Sequence, residues 1–248
     1  MAINKAAVQR VARRILDPVA GLILRLGFGP DALTLTGLVL SLFAATSAAQ
    51  GHMASAALLL FLGGLCDILD GSMARRSGRA TLRGAFLDST LDRLAEIAVF
   101  VGLVVHYRAH LSLQLITVLA LTGSLMTSYA RARAEGLGVD CKVGLLERPE
   151  RLALLILGLL LSPLRVGGVG VLELVLTVLA VLTYLTTLQR ILHVVGRTRA
   201  LERDGDLGDA AGDASPRRRR PEVAVVPSEP APGPSGDGEV LRRGRRSQ

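Results

Sequence analysis

Long apolar segments recur along most of the chain, and short clusters of polar or charged residues separate them. Most of these segments lack the polar face that a helix of a soluble domain presents to water. A segment of about 20 apolar residues is long enough to cross a bilayer as a helix. We therefore predict an all-α, polytopic membrane protein with six transmembrane helices, at approximately residues 32–49, 54–75, 84–107, 111–131, 149–164 and 171–195.

The two ends of the chain differ from this central region. Residues 1–28 combine basic side chains with Ala, Val, Ile and Leu, which predicts an amphipathic helix lying in the membrane interface. Residues 29–202 hold the six predicted spans. Residues 203–248 are rich in Asp, Gly, Pro, Ser and Arg, so we predict a disordered tail that buries too little apolar surface to fold.

Loop charges predict the orientation. The turns after the second and fourth spans are strongly basic, whereas the turns after the first, third and fifth spans hold at most a single Arg each. The positive-inside rule then places both basic turns and both termini in the cytoplasm, with the protein in the cell (inner) membrane among membrane lipids.

Composition excludes some other functions. The net charge is +8, but the basic residues are spread over several loops, and only 3% of residues are aromatic. This pattern argues against a nucleic-acid-binding surface. Cys66 and Cys141 both fall in or near predicted cytosolic segments, so a disulfide framework is not expected.

Four carboxylates lie inside the second and third predicted spans: Asp67, Asp70, Asp88 and Asp92. One charge at the centre of a bilayer costs at least about 2.5–3.5 kcal/mol, so four of them require counter-ions. Their helical spacing puts each pair on one face of its span, and both pairs lie near the cytosolic end. Because carboxylate oxygens suit Mg²⁺ or Mn²⁺, we predict a site for two divalent cations that is open to the cytosol.

Basic residues are predicted to face this acidic hairpin. Arg131, Arg151 and Arg190 reach the same depth from the fourth, fifth and sixth spans, and Ser128 shares a helix face with Arg131. Guanidinium groups bind phosphate in a forked geometry, so this side suits an anionic acceptor. Metal ions on one side and arginines on the other predict displacement at phosphorus, with a carboxylate taking the proton of an attacking hydroxyl.

The signature residues lie in the order Asp67-x-x-Asp70-Gly71-x-x-Ala74-Arg75, eight residues, Gly84-x-x-x-Asp88-x-x-x-Asp92. This run resembles the complete signature of the CDP-alcohol phosphatidyltransferases. The resemblance implies a homodimeric membrane enzyme with six helices. Such an enzyme transfers a phosphatidyl group from CDP-diacylglycerol to an alcohol and releases CMP.

The same resemblance implies a role for each signature residue. Asp67, Asp70 and Asp88 would bind the metal pair. Asp92 would act as the general base and as a further metal ligand. The residues expected to lie against the CDP group are Asp67, Gly71, Ala74, Arg75 and Gly84.

Residues 128–135 and 147–151 are similar to the branch of the family that makes phosphatidylinositol phosphate and its archaeal ether-lipid counterpart. The similarity implies that the acceptor's phosphate is held by Ser128, Arg131, Arg151 and Arg190. The predicted acceptor is therefore a phosphorylated alcohol, with inositol 1-phosphate preferred and glycerol 3-phosphate as the alternative. One departure is that many bacterial members have Lys where this chain has Arg131.

Two other classes of membrane protein use acidic groups in this way. An intramembrane prenyltransferase also places Asp-bound Mg²⁺ on a diphosphate, but it would be expected to have more spans and two distant aspartate-rich motifs. A divalent-cation transporter would need polar groups that continue to the outer side, and spans one to three offer none there.

Overall fold

The computed structural model describes residues 18–27, 29–76 and 81–203, and the described part is almost entirely helical. Its long helices are α1 (Pro30–Ala49), α2 (Met53–Arg76), α3 (Leu82–His106), α4 (Leu111–Gly136), α5 (Arg148–Leu160) and α6 (Val171–Arg203). A short antiparallel hairpin, β1 (Arg165–Val166) and β2 (Val169–Gly170), connects α5 to α6. Residues 18–25 are also helical. The predicted all-α class is confirmed.

Four helices in the described part are long and apolar enough to cross a membrane, namely α1, α2, α4 and α6. Helix α3 carries charged residues along its first half, and α5 has 13 residues. At about 1.5 Å per residue, α5 is roughly 20 Å long, against a hydrocarbon core of about 30 Å. The structure thus supports a helical membrane protein, and the count of six spans stays a prediction.

The fifth predicted span ends earlier than the sequence pattern indicated. Helix α5 stops at Leu160, and Pro163 follows in the turn after it. Gly167 and Gly168 then have φ values of 59° and 84°, which make the two-residue turn between β1 and β2. Consecutive glycines at positive φ are typical of tight hairpin turns, so this segment folds back instead of extending the helix.

Capping side chains fix where the site-bearing helices begin. Thr81 Oγ1 accepts a hydrogen bond of 3.0 Å from the Gly84 amide, which defines the first turn of α3. At the start of α5, Glu147 and Glu150 form a reciprocal capping box, and the Glu147 amide donates to Glu150 Oε2 at 2.7 Å. These caps set the rotation of α3 and α5, and so the directions of the side chains that enter the site.

Close packing brings the helices together around an apolar core. Helix α1 packs against α2 and α3, α2 packs against α5, and α3 packs against α4. Gly102 lies so close to Ala45 that a Cβ at this position would overlap the Ala45 carbonyl oxygen. Buried core residues include Leu103, Leu159 and Leu176. Large apolar side chains also cover much of the outer surface, as a lipid-facing surface requires.

The chain divides into two units, residues 1–200 and residues 201–248. The helices and cavities described here lie in the first unit, and of the second the structure describes residues 201–203, which end α6. The predicted interfacial helix at residues 1–28 and tail at residues 203–248 fall largely outside the described residues, and both stay predictions.

Candidate active site

Three of the four predicted carboxylates form a cluster. Asp67 and Asp70 on α2 and Asp88 on α3 each offer an oxygen, and these oxygens lie within 4.8 Å of one another. Asp70 is 5% exposed, so the cluster is partly buried between the helices. Both helices pack against α1, and this packing brings carboxylates from the two predicted faces together.

The donor set of this acidic cluster fits a divalent cation. Asp88 Oδ1 is buried and accepts no hydrogen bond from the residues that the structure describes. A buried charged oxygen without a partner is costly, and neighbouring carboxylates repel one another. Three carboxylate oxygens at this separation are the hard ligands that Mg²⁺ and Mn²⁺ prefer, so a cation would relieve both costs.

Asp92 lies one turn beyond Asp88 on α3, beside the cluster, and Arg148 connects it to the other carboxylates. Arg148 Nη2 lies 2.5 Å from Asp92 Oδ1, and Arg148 Nη1 donates a hydrogen bond of 2.8 Å to Asp67 Oδ2. The sequence analysis missed this role for Arg148. Its position three residues before Arg151, on the same face of α5, is the one sequence signal that could have indicated it.

A cavity of about 210 Å³ opens on one side of the acidic cluster. We call it the nucleotide-side cavity. It is lined by Asp70 and Asp88 and by four of the residues predicted to contact CDP: Gly71, Ala74, Arg75 and Gly84. Asp67, the fifth predicted contact, lines an inner cavity instead. The structure thus groups four of the five predicted residues around one opening.

Glycine at position 71 keeps this opening wide. A Cβ there would lie 3.4 Å from Arg75 Nη1, so a larger side chain would displace the guanidinium or fill the space beside it. Helix α1 supplies a residue that the sequence analysis missed. Thr34 Oγ1 donates a hydrogen bond of 2.6 Å to Asp70 Oδ2 and lines the same cavity. This bond orients one carboxylate of the cluster.

A larger cavity of about 680 Å³ opens on the other side, and we call it the acceptor-side cavity. All the residues predicted to hold the acceptor's phosphate line it: Ser128, Arg131, Arg151 and Arg190. Arg151 and Arg190 are each 4% exposed. They bring two positive charges into the wall of this cavity, which therefore suits an anion.

Helix α4 orients both buried guanidinium groups. Arg151 donates from Nη1 to Thr127 Oγ1 at 3.1 Å and from Nη2 to Ser128 Oγ at 3.3 Å. Arg190 donates from Nη1 to the Thr127 carbonyl at 2.5 Å and from Nε to the Val143 carbonyl at 2.9 Å. Arg131 differs, because it is more exposed and its Nε donates a hydrogen bond to the Glu135 carboxylate.

Two glutamates complete the site and were missed by the sequence analysis. Glu135 accepts a hydrogen bond of 2.8 Å from Arg131 Nε at the cavity edge. Glu96 is deeper, where its Oε1 accepts from Ser124 Oγ at 2.5 Å and lies 3.7 Å from Arg151 Nε. Glu96 follows Asp92 by four residues, so the acidic face of α3 extends one turn further than predicted.

Shared lining residues connect the three cavities near the acidic cluster. Asp88 lines the nucleotide-side cavity, Arg148 lines the acceptor-side cavity, and both line an inner cavity of about 60 Å³. Arg148, through its hydrogen bond to Asp67, therefore links the acidic cluster to the acceptor-side cavity.

Comparison with known proteins identifies relatives of the chain. Archaetidylinositol phosphate synthase of Methanothermobacter thermautotrophicus is 40% identical to the chain over 189 residues, which are 76% of this chain and 93% of that protein. The crystal structure of Mycobacterium tuberculosis phosphatidylinositol phosphate synthase with CDP-DAG bound matches with a TM-score of 0.66 and 36% identity. That match covers 73% of this chain and 94% of the other.

A second crystal structure of the Mycobacterium tuberculosis synthase, in complex with manganese and citrate, matches with a TM-score of 0.66 and 35% identity. It covers 72% of this chain and 88% of the other. The family model of the CDP-alcohol phosphatidyltransferases matches residues 28–194, which are more than half of the chain. The chain therefore belongs to the CDP-alcohol phosphatidyltransferase family and is a membrane transferase of phospholipid biosynthesis.

Proposed function

We propose that this protein transfers a phosphatidyl group from CDP-diacylglycerol to inositol 1-phosphate and releases CMP. The observation that carries the proposal is the pair of buried arginines in the wall of the acceptor-side cavity, Arg151 and Arg190. An acceptor that already bears a phosphate brings a negative charge to these two arginines, whereas an uncharged alcohol brings none. The names of the similar synthases support the same acceptor.

In this proposal the nucleotide-side cavity takes the CDP group. Gly71 and Gly84 leave room for it, Ala74 lies along the wall, and Arg75 offers a guanidinium for phosphate or base. Thr34 keeps Asp70 oriented toward the diphosphate. Binding on this side presents the phosphorus that carries diacylglycerol to the acidic cluster.

Asp67, Asp70 and Asp88 would hold two divalent cations, Mg²⁺ or Mn²⁺, with Asp92 as a further ligand. When bound, such cations polarise phosphoryl oxygens and stabilise the charge on the departing CMP. Asp92 takes the proton from the acceptor hydroxyl. The hydroxyl oxygen forms a bond to the phosphorus that carries diacylglycerol, the bond from that phosphorus to the CMP oxygen breaks, and CMP leaves.

The acceptor's phosphate lies against Ser128, Arg131, Arg151 and Arg190 in this proposal. The guanidinium groups of Arg151 and Arg190 are held in fixed orientations, because their nitrogens donate hydrogen bonds to α4 and to the loop before α5. The cavity of about 680 Å³ also has room for a six-carbon polyol. Glycerol 3-phosphate is the alternative acceptor, since it carries the same charge on a smaller alcohol.

The membrane arrangement belongs to the same proposal. Six spans at residues 29–202, with both termini in the cytoplasm of the cell (inner) membrane, would open the cavities to soluble acceptor and released CMP. Residues 1–28 would lie in the interface, and residues 203–248 would form a tail. We also propose a homodimer, as the family resemblance implies.

The test is CMP release by the purified protein from CDP-diacylglycerol with Mg²⁺ or Mn²⁺ and a panel of alcohols. We expect inositol 1-phosphate to give the highest kcat/KM, glycerol 3-phosphate a lower value, and serine or inositol almost none. A higher kcat/KM with glycerol 3-phosphate than with inositol 1-phosphate would mean that glycerol 3-phosphate is the preferred acceptor. Equal turnover of an uncharged alcohol would contradict the role of the arginines.

A further inference from the structure

Arg148 bonds to carboxylates on two different helices. Its Nη2 lies 2.5 Å from Asp92 Oδ1 on α3, and its Nη1 lies 2.8 Å from Asp67 Oδ2 on α2. Because a guanidinium is planar and rigid, two of its nitrogens can bond to two carboxylates only in a narrow range of orientations. The Asp92 carboxylate is thereby fixed relative to the acidic cluster.

The Arg148 side chain extends from the capped first turn of α5. Arg148 is the first residue of the helix and Pro149 is the second, with the capping box of Glu147 and Glu150 around them. Proline restricts the backbone at this position, and the box satisfies amides that would otherwise lack partners. Helix α5 also packs against α2, which carries Asp67. The contacts of Arg148 therefore follow from the helix packing.

Neighbouring arginines are engaged elsewhere. Arg93 Nη1 is 3.9 Å from Asp92 Oδ2, but the same nitrogen donates to the Ser89 carbonyl at 2.5 Å. Arg151 directs its terminal nitrogens to Thr127 and Ser128. Among the residues that the structure describes, Arg148 makes the shortest ion pair with Asp92.

Arg148 contacts Asp92, which lines the inner cavity, and itself extends to the acceptor-side cavity. Within the described residues, Arg148 lines the acceptor-side cavity and the inner cavity, and it does not line the nucleotide-side cavity. We infer that Arg148 is the positioning residue of the general base: it holds the Asp92 carboxylate toward the acceptor hydroxyl and ties it to Asp67. This inference rests on the proposed function, because that function requires Asp92 to take a proton.

The test compares Arg148→Met and Arg148→Lys with a matched control, Arg133→Met, which removes an exposed arginine from the last turn of α4. For Arg148→Met we expect kcat to fall by about 10²-fold, because a base displaced by about an ångström loses that much. The KM for CDP-diacylglycerol and for the acceptor should change little. Arg148→Lys should recover part of kcat, because one ammonium can still hold Asp92.

Two further measurements separate positioning from a structural role. The solvent deuterium isotope effect on kcat should rise in Arg148→Met, since proton transfer to a misplaced base becomes slower. CDP-diacylglycerol affinity should stay near the wild-type value, and electron paramagnetic resonance should still show Mn²⁺ binding, because Asp67, Asp70 and Asp88 are retained. The control Arg133→Met should match the wild type in all of these measurements.

Other results would overturn the inference. A large rise in acceptor KM at unchanged kcat would make Arg148 a binding residue. Loss of Mn²⁺ or lipid-nucleotide binding in both Arg148 variants would make it a structural residue. An absence of CMP release by the wild-type protein would instead refute the proposed function, and this would be seen before any variant is compared.

Discussion

Replacing Arg151 tests how the acceptor-side cavity recognises an anion. Arg151→Met keeps much of the apolar stem but removes the buried guanidinium, which is 4% exposed and faces the cavity. A hydrogen bond to a charged group contributes about 1.5–3 kcal/mol. A loss of about 3 kcal/mol in acceptor binding corresponds to a rise of roughly 10²-fold in acceptor KM.

The same change carries a cost in stability that has to be separated from binding. Glu96 is mostly buried, with its carboxylate 3.7 Å from Arg151 Nε, so Arg151→Met leaves that charge without its cation. Removing one partner of a buried pair costs about 3–5 kcal/mol. The double variant Glu96→Gln with Arg151→Met avoids this cost, because a glutamine oxygen can still accept the hydrogen bond from Ser124.

The assay measures KM for acceptor and for CDP-diacylglycerol in both variants, with thermal unfolding in detergent alongside. We expect a lower Tm for Arg151→Met and a Tm closer to the wild type for the double variant. Both variants should show the raised acceptor KM and a nearly unchanged KM for CDP-diacylglycerol. An acceptor KM that returns to the wild-type value in the double variant would refute the phosphate contact, since stability alone would then explain the single variant.

Three further predictions address other parts of the molecule. Asp92→Asn should lower kcat by about 10²–10⁴-fold while CDP-diacylglycerol still binds. A binding titration beside the CMP assay can check this, and full activity would contradict the role of Asp92 as base. Gly102→Ala should lower the Tm by a shift equivalent to about 1–3 kcal/mol because the new methyl overlaps the Ala45 carbonyl, whereas Gly136→Ala, with open space around it, should leave the Tm unchanged. Deletion of residues 204–248 should leave kcat/KM in detergent nearly unchanged, and a large loss would show that the tail contributes to catalysis.

Local helical spacing was sufficient to predict much of the site. Asp67 and Asp70 share a face of α2 because they are three residues apart, and Asp88 and Asp92 share a face of α3 because they are four apart. Both helices pack against α1, and carboxylates of the two faces meet at the acidic cluster, as the sequence analysis predicted. The same spacing put Ser128 on the face of Arg131, and the predicted depth in the membrane grouped them with Arg151 and Arg190.

The contacts that were missed depend on side chains far apart in the sequence. Arg148 and Asp67 are 81 residues apart, and Thr34 and Asp70 are 36 apart. The three-residue spacing puts Arg148 on the same face of α5 as Arg151, but this spacing alone does not distinguish an active-site cation from a basic residue that marks the cytoplasmic side. The packing of α5 on α2 brings Arg148 to the acidic cluster. Periodicity within one segment does not determine which helices are neighbours.

The extent of α5 was also mispredicted, for a physical reason. The apolar residues continue past Leu160, so hydrophobicity alone favours a longer span. The helix nevertheless ends at Leu160, because Pro163 and the positive φ values at Gly167 and Gly168 favour a turn. Turn-forming residues were thus a better indication of this helix end than hydropathy.

The central claim is that the acidic cluster of Asp67, Asp70 and Asp88 binds the divalent cations at which CDP-diacylglycerol is cleaved. The most direct measurement is an anomalous difference map from crystals grown with Mn²⁺ and CDP-diacylglycerol. We expect anomalous peaks among these three carboxylates, in contact with the diphosphate. Peaks elsewhere on the protein, with the diphosphate away from the cluster, would contradict it.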